Sequence, residues 1–375
     1  MKKIIIIELV HFQYALTITS LFKDADIIYI FTPKILESLQ KFKPDFNPSK
    51  IWVYDNKDLD KNIYELIERI NNENPDLFFI NPIFDNFKPF AQISKDVKAK
   101  KILTTHNINT WFRPSVKRLR DWKEKKYKKQ IINNSDFIAV EDFIYAYLKN
   151  KEPKLFNKYN FIYIPFTLFS GEYNKIDRND NKIKIVLPGS IDYERRRYET
   201  TLKVIKELFN KTDKFIFSFA GPPIGEYGKN IVKELKFLKE KLPNNIVVFD
   251  EQPKPEEFRY EMESADVVLS TSTKYFYTLG TKEEIGKTKP TAAIHDMISF
   301  VMPGILPAHL DIPNELKSSS QQYKNKEELL QCILNFEKEE FFNNQKNEAL
   351  LNSNKFTPEK ILEKNTEFNF NEATK

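Results

Sequence analysis

The residues of this sequence that could do chemistry are cations and one acid placed at the ends of apolar runs. Arg195, Arg196 and Arg197 follow IKIVLPG, an apolar run closed by a glycine, and precede a helical pattern. A guanidinium at such a turn can grip a phosphate through two parallel hydrogen bonds, and strand-to-helix turns are where α/β folds bind anions; a plain surface triplet is the other reading. Further on, GKTKPTAAIHDMISFVMPGILP holds Asp296 seven residues before Pro303. Pro290 suits the first turn of a helix, where its missing N–H is not needed, and Pro303 ends it. The expected helix therefore runs from about Pro290 to Phe300, and a short buried strand follows through Gly304, Ile305 and Leu306. The loop 286–291, with Lys289 and Thr291, then aims the free N–H groups of a helix start at whatever lies in front, and phosphate is their usual guest.

Asp296 lies inside that helix beside Ile294, Met297 and Ile298, so it is either a ligand-holding carboxylate or a solvated one. His295 projects from a different helix face and reads as structural or exposed. His106 and Asn107 close the apolar run of KILTTHN, and His11 follows the first apolar run. All three suit a cleft, where they would hydrogen bond an acceptor or a sugar hydroxyl, though a histidine held structurally would look the same. Lys274 follows DVVLSTST and is a further candidate phosphate partner.

The elements that must position these residues are strands and helices in alternation. KIIIIELV, DIIYIFT, KIWVYD, DLFFINP, KKILTTHN, DFIAVE and FIYIPF are continuous apolar runs separated by polar, helix-period segments. Strands of that kind belong to a parallel sheet covered on both faces. A polar stretch, SGEYNKIDRNDNK, reads as a linker. The pattern then restarts with IKIVLPG, FIFSFAGPP, NIVVFDEQ, DVVLSTST and GILP. The expectation is an α/β chain with two Rossmann-like domains, residues 1–170 and 183–345, and a cleft between the carboxyl ends of their strands. Residues 346–375 are expected to form a helix returning to the first domain and a polar tail.

Composition agrees with two cores: 41% of the residues are hydrophobic, with 32 Phe and 17 Tyr to fill them. The single cysteine, Cys332, rules out an internal disulfide framework and a cysteine zinc site, which points to a reducing cytoplasm. The start, MKKIIIIELV, reads as a buried strand, since its apolar run is too short for a signal peptide. No stretch is apolar for long enough to span a bilayer.

In the order of its segments the chain resembles the GT-B glycosyltransferases, specifically the large retaining group called family 4. VLPGSIDYERRRYETTLKVIKEL, FSFAGPP, VVFDEQP, PEEFRYEMESADVVLSTS and GKTKPTAAIHDMISFVMPGILP are similar to that family's donor domain, and KILTTHNINTWF and SDFIAVEDFIYAYL to segments of its first domain. The resemblance covers residues 1–345. It implies a nucleotide-diphosphate sugar bound by Gly189, Ser190, Arg195, Arg196, Lys274, Thr288, Lys289, Thr291 and Asp296. It makes His106 and Arg196 the catalytic residues, and puts His11 and Asn107 on the acceptor side. The family's paired donor-site glutamates fall on Thr288 and Asp296 here, so one carboxylate is lost. Its phosphate-site Gly-Arg is Gly189-Ser190, while Arg196 matches the second cation. The family's glycine-rich loop after the first strand is replaced by ELVHFQYALT.

The expected reaction is transfer of the sugar to a glycan or lipid-linked acceptor in cell-surface polysaccharide or glycoconjugate synthesis, retaining by likeness. A catalyst of that reaction must stabilise charge growing on the departing diphosphate, here by cations and a helix start. No cofactor is expected beyond the sugar nucleotide, and no metal, since Asp24-Ala25-Asp26 lies before a strand. A non-catalytic GT-B scaffold or glycan-binding protein is the alternative that the Thr288 and Ser190 departures keep open, and a sugar-nucleotide epimerase or glycan phosphorylase of the same architecture is the other enzyme reading, the phosphorylase disfavoured because no lysine is clearly placed for a pyridoxal phosphate Schiff base. One feature of the charge distribution bears on partners. RPSVKRLRDWKEKKYKK at 113–129 has nine Lys or Arg against Asp121 and Glu124, whereas the whole chain carries +6. The segment is either an ordinary helix with Val116, Leu119 and Tyr127 facing a core, or a surface for anionic lipid, with Trp122 and Phe112 beside the cations. No nucleic-acid motif accompanies it, so nucleic acid is not expected as a partner. A cytoplasmic enzyme, peripheral on the inner face of the membrane, fits the second reading.

Overall fold

The computed structural model describes residues 1–43, 46, 48, 50–55 and 59–365, so the last part of the polar tail lies outside the described residues. The apolar runs become two parallel sheets. The first has the strands β1 (Lys3–Glu8), β2 (Asp26–Phe31), β3 (Lys50–Val53), β4 (Leu77–Ile80), β5 (Lys100–Thr104), β6 (Phe137–Val140) and β7 (Phe161–Tyr163), in the order β3-β2-β1-β4-β5-β6-β7. The second contains β8 (Ile183–Pro188), β9 (Phe215–Ala220), β10 (Ile246–Val248) and β11 (Val267–Leu269), and is completed by β14 (Gly304–Pro307) and β15 (Ser320–Tyr323) in the order β10-β9-β8-β11-β14-β15. In each sheet the strand order reverses beside the first strand, between β1 and β4 and between β8 and β11. Crevices at the carboxyl ends of strands open at such points.

Burial explains the continuous apolar character. Ile4, Ile5, Ile6 and Ile7 of β1 are all essentially inaccessible, because helices cover both faces. The same holds in the second sheet for Ile185, Val186 and Leu187 of β8. One apolar cluster runs through both halves, joining Ile4, Tyr14 and Phe31 to Val268, Ile294 and Met302, with Phe169 and Phe356 among its members. The last described residue returns to the first sheet: Asn365 Oδ1 accepts from Tyr163 N (3.1 Å), and its amide donates to Tyr163 O (2.7 Å). Cys332 is buried, as a lone cysteine in an apolar helical pattern should be.

Two findings depart from the sequence reading. Between β11 and the helix Ala292–Ser299, ahead of the expected loop 286–291, the chain forms an antiparallel hairpin of β12 (Tyr275–Thr278) and β13 (Thr281–Glu284) that the sequence reading did not name. The basic segment also differs from the ordinary-helix reading. Its helix, Leu119–Asn134, buries Lys128, Ile131 and Ile132, whereas Val116, Leu119 and Trp122 are exposed at 41%, 72% and 56%. The stripe meant for the core thus faces outward at its start. Lys128 turns inward instead, donating to Thr110 O (3.2 Å) and lying over the Phe87 ring. No helix among the described residues is long and apolar enough to cross a membrane.

Candidate functional site

A cavity of about 250 Å³ lies where the two sheets face each other, lined from the first half by His11, Phe84, His106 and Phe166. From the second half it is lined by Arg195, Arg196, Ser272, Ile285, Lys289, Pro290, Thr291, Ala292 and His295. Three cations line it and no carboxylate does.

Arg196 is fixed by its backbone. Its segment pairs antiparallel with the chain after β11, through Arg197 N to Thr271 O and Thr273 N to Arg195 O (both 2.9 Å). The guanidinium folds back over Gly189 and donates to Ser190 O (3.1 Å). Gly189 holds a positive φ of +88°, and any side chain there would run into the Arg196 guanidinium. The turn therefore needs glycine twice, for its backbone and for the arginine resting on it. Arg195 reaches the same cavity with its guanidinium 5.0 Å from the centre of the Phe276 ring. Arg197 turns away and stacks on Tyr193.

Lys289 is the third cation. Its Nζ donates to Asn107 Oδ1 (3.0 Å) and lies 5.2 Å from the Phe276 ring. Burial and the nearby Arg195 pull its pKa down to about 8. An ammonium has three protons to donate, so Lys289 can still bind an anion while holding Asn107.

His106 is buried, and neither ring nitrogen has a partner among the described residues. Burial, with the charges of His11, Lys289 and His295, keeps it well below the ordinary histidine range and therefore neutral. His11 lies 5.6 Å away ring to ring, and burial lowers its pKa too. Both His106 nitrogens are shut from solvent, so a sugar hydroxyl would reach them only after the cavity wall shifts.

Asp296 does not line the cavity but lies behind it. Its Oδ2 is shut from solvent with no partner among the described residues. Burial pushes the carboxyl up to about 7, against the pull of His295 and Arg196. Thr288 makes bonds within the fold: its Oγ1 accepts from Glu284 N (2.8 Å) and its carbonyl from Ile108 N (2.9 Å). Lys274 belongs to a separate depression, with Arg197, His309 and Lys324, and its Nζ is 3.9 Å from Glu284 Oε1. Ser190 contributes its carbonyl to Arg196, and Thr291 its place at the helix start.

Several residues of the site were not singled out from the sequence. His295, read there as structural or exposed, lines the cavity, where it stacks on Phe166 at 4.5 Å and meets Glu141 Oε2 at 2.7 Å. Glu141 follows β6 directly and Glu8 ends β1, so their position at strand carboxyl ends was the available signal. Glu8 Oε1 accepts from Val10 N (3.0 Å) and His11 N (2.7 Å), shaping the turn that carries His11. Burial pushes its carboxyl to about 8. Glu283 of the hairpin had no such signal. It is fully buried, and accepts from Asn109 N (3.2 Å), Thr110 N (2.7 Å) and Thr110 Oγ1 (2.7 Å). With Thr288 O on Ile108 N, the whole first turn of the short helix Ile108–Phe112 is capped from the second half of the molecule. Among the described residues, no group of three or more His, Cys, Asp or Glu could hold a metal ion.

Two sheets that meet across a cation-lined cleft can be compared with known structures. A glycosyltransferase from Rickettsia africae aligns with 98% of this chain and 97% of its own, at a TM-score of 0.66 and 15% identity. The fold is GT-B. Anabaena HepE, solved in complex with UDP, aligns over 98% of this chain and 99% of its own, at a TM-score of 0.64 and 12% identity. Sucrose-phosphate synthase from Thermosynechococcus elongatus aligns over 100% of both chains, at a TM-score of 0.63 and 12% identity. No family model matches the sequence, and no curated protein matches it.

Proposed function

We propose that this GT-B chain is a glycosyltransferase, moving a sugar from a nucleotide-diphosphate sugar to a glycan or lipid-linked acceptor. The observation that carries this reading is the cavity between the sheets, which gathers Arg195, Arg196, Lys289 and the helix start at Thr291 with no acid among its lining residues. A diphosphate matches that set. Arg196 and Lys289 would meet the charge that grows on the leaving diphosphate, which is where stabilisation accelerates transfer. Neutral His106, with His11 and Asn107 beside it, would hold sugar and acceptor hydroxyls, and Asp296 would reach the ribose from behind Arg196. Retention at the anomeric carbon and independence from metal are part of the proposal, and so is a role in cell-surface polysaccharide or glycoconjugate synthesis. The exposed cations of 113–129 support a peripheral position on the cytoplasmic face of an anionic membrane, where lipid-linked acceptors reside.

Solved structures of the same fold include Anabaena HepE in complex with UDP, which makes UDP-sugars the first panel to test. In a thermal-shift and calorimetric screen of UDP-, GDP- and ADP-sugars, at least one should bind saturably, and Arg196→Ala should weaken it. A non-catalytic scaffold would show no saturable binding.

A further inference from the structure

His295 is paired across the cleft. Its Nε2 lies 2.7 Å from Oε2 of Glu141, and the two side chains are only 14% and 4% exposed. Glu141 follows β6 and opens the helix Asp142–Lys151, where a carboxylate ordinarily meets the helix's own N–H groups; this side chain makes no such cap. It reaches to the other half of the molecule instead. The imidazole is held on its flat face as well, stacked on Phe166 at 4.5 Å. Phe166 is fixed in turn. Its carbonyl accepts from Thr17 Oγ1 (2.7 Å), and the next residue, Thr167, shares a hydrogen bond with Ser299 at the end of the His295 helix (2.9 Å).

A carboxylate can only accept from an imidazole, so the pair places the ring proton on Nε2 and leaves Nδ1 with its lone pair. Nδ1 makes no hydrogen bond to a described residue and is not shut from solvent, so it is the nitrogen His295 can offer to the cavity it lines. The other groups there are poorer proton acceptors. Arg195 and Arg196 stay charged, Lys289 donates to Asn107 Oδ1, and both His106 nitrogens are shut from solvent. His11 lines the cavity too, but no described carboxylate bonds its ring, and burial with the charge of Lys289 lowers its pKa. A proton gained by His295 is met by a carboxylate; one gained by His11 is not. Around the pair stand Asp296 on the same helix with Arg196 beside it, His106 and Lys289 from the cavity wall, and Tyr14 and Tyr163 against Glu141. Of these groups Glu141 is the one that bonds the ring.

We propose that His295 is the base that takes the acceptor's proton during transfer, with Glu141 as the positioning residue that fixes its tautomer and meets the charge it gains. The inference rests on the transferase reading and supplies the proton acceptor which that reading leaves unnamed. As the acceptor's O–H bond breaks, its proton passes to Nδ1 and its oxygen bonds to the anomeric carbon. The bond from that carbon to the diphosphate oxygen breaks, and its electron pair leaves on the diphosphate, toward Arg196 and Lys289. The proton on Nδ1 then passes to water.

The test uses the full chain with UDP-glucose, UDP-N-acetylglucosamine, GDP-mannose and ADP-glucose. It reads release of the nucleoside diphosphate with water as acceptor, whose O–H takes the place of the sugar hydroxyl. His295→Gln keeps a donor for Glu141 but offers no base. It should melt as the parent does and bind the sugar nucleotide within about twofold, while kcat falls about a hundredfold or more, as for loss of a positioned base. Glu141→Gln removes the carboxylate behind the imidazole, so the acidic limb of the kcat profile should move to lower pH and the plateau should drop. A residue that only props the fold would lower the rate without moving the limb. Binding without nucleotide release by the parent, or release by His295→Gln at the parent's rate, overturns the proposal while the sugar-nucleotide site stands. An unmoved limb in Glu141→Gln overturns the role of Glu141. Failure of the parent to bind any of these sugar nucleotides overturns the transferase reading, and the proposal with it.

Discussion

At the scale of single residues, burial moves Asp296 and Lys289 toward neutral pH and holds His11 and His106 below the ordinary histidine range. Asp296 is held near 7, above the unfolded carboxyl, so the folded state keeps a proton that the unfolded chain gives up from about pH 4 upward. Its contribution to stability therefore falls as pH rises through that window. Asp296→Asn should raise the melting temperature at pH 8, with a gain that shrinks toward pH 4, and should still weaken nucleotide binding by roughly ten- to a hundredfold through loss of a charge-assisted hydrogen bond. Lys289, near 8, gives the opposite linkage. A bound diphosphate favours its charged form, so binding at pH 8 should take up a fraction of a proton. Calorimetry in buffers of different ionisation enthalpy reads that uptake, and Lys289→Met should abolish it. Gly189→Ala forces a side chain into the Arg196 guanidinium at positive φ, and should destabilise the fold by about 1–2 kcal/mol while impairing nucleotide binding. Arg196 and Lys289, singled out in the sequence beside a glycine and a proline, do line the cavity, whereas Asp296, singled out by its distance from Pro303, does not. His295 and Glu141 were not legible in the sequence: their pairing joins side chains far apart in the chain, and only the packed interface brings them within 2.7 Å.

At the scale of elements, the parallel strands could be read directly, because two-sided burial leaves an unbroken apolar run. The helix Ala292–Ser299 came out close to its expected limits for the same kind of reason, with a proline before it and another after. The hairpin could not be read. YFYT and TKEE are short, one is largely charged, and Leu279-Gly280 lacks the Asn-Gly signature of its turn. Its importance lies in Glu283, which caps a helix start belonging to the other half. Glu283→Ala leaves the buried Thr110 N–H and hydroxyl and the part-buried Asn109 N–H without their acceptor, at about 1–3 kcal/mol for an unsatisfied group. Loss of at least about 2 kcal/mol in denaturant unfolding is expected, together with faster amide exchange in 275–284 and 108–112. Unchanged exchange in both segments would show that the cap does not join them.

At the scale of the whole molecule, the two sheets are tied on each side of the cavity by Lys289 with Asn107 and by His295 with Glu141. One member of each tie, Lys289 and His295, also lines the cavity. A diphosphate held by Lys289 while it keeps Asn107 would add a bridge through Arg196 to the existing tie. The central claim is that this cleft holds a nucleotide-diphosphate sugar on Arg196. Its most direct test is calorimetric titration of the parent chain and Arg196→Ala with the UDP-, GDP- and ADP-sugars. At least one of them should bind the parent saturably, with a loss of about tenfold or more in Arg196→Ala and the melting profile of the variant intact. Equal affinity of the parent and Arg196→Ala for every sugar nucleotide that binds, or no binding by the parent, would contradict it.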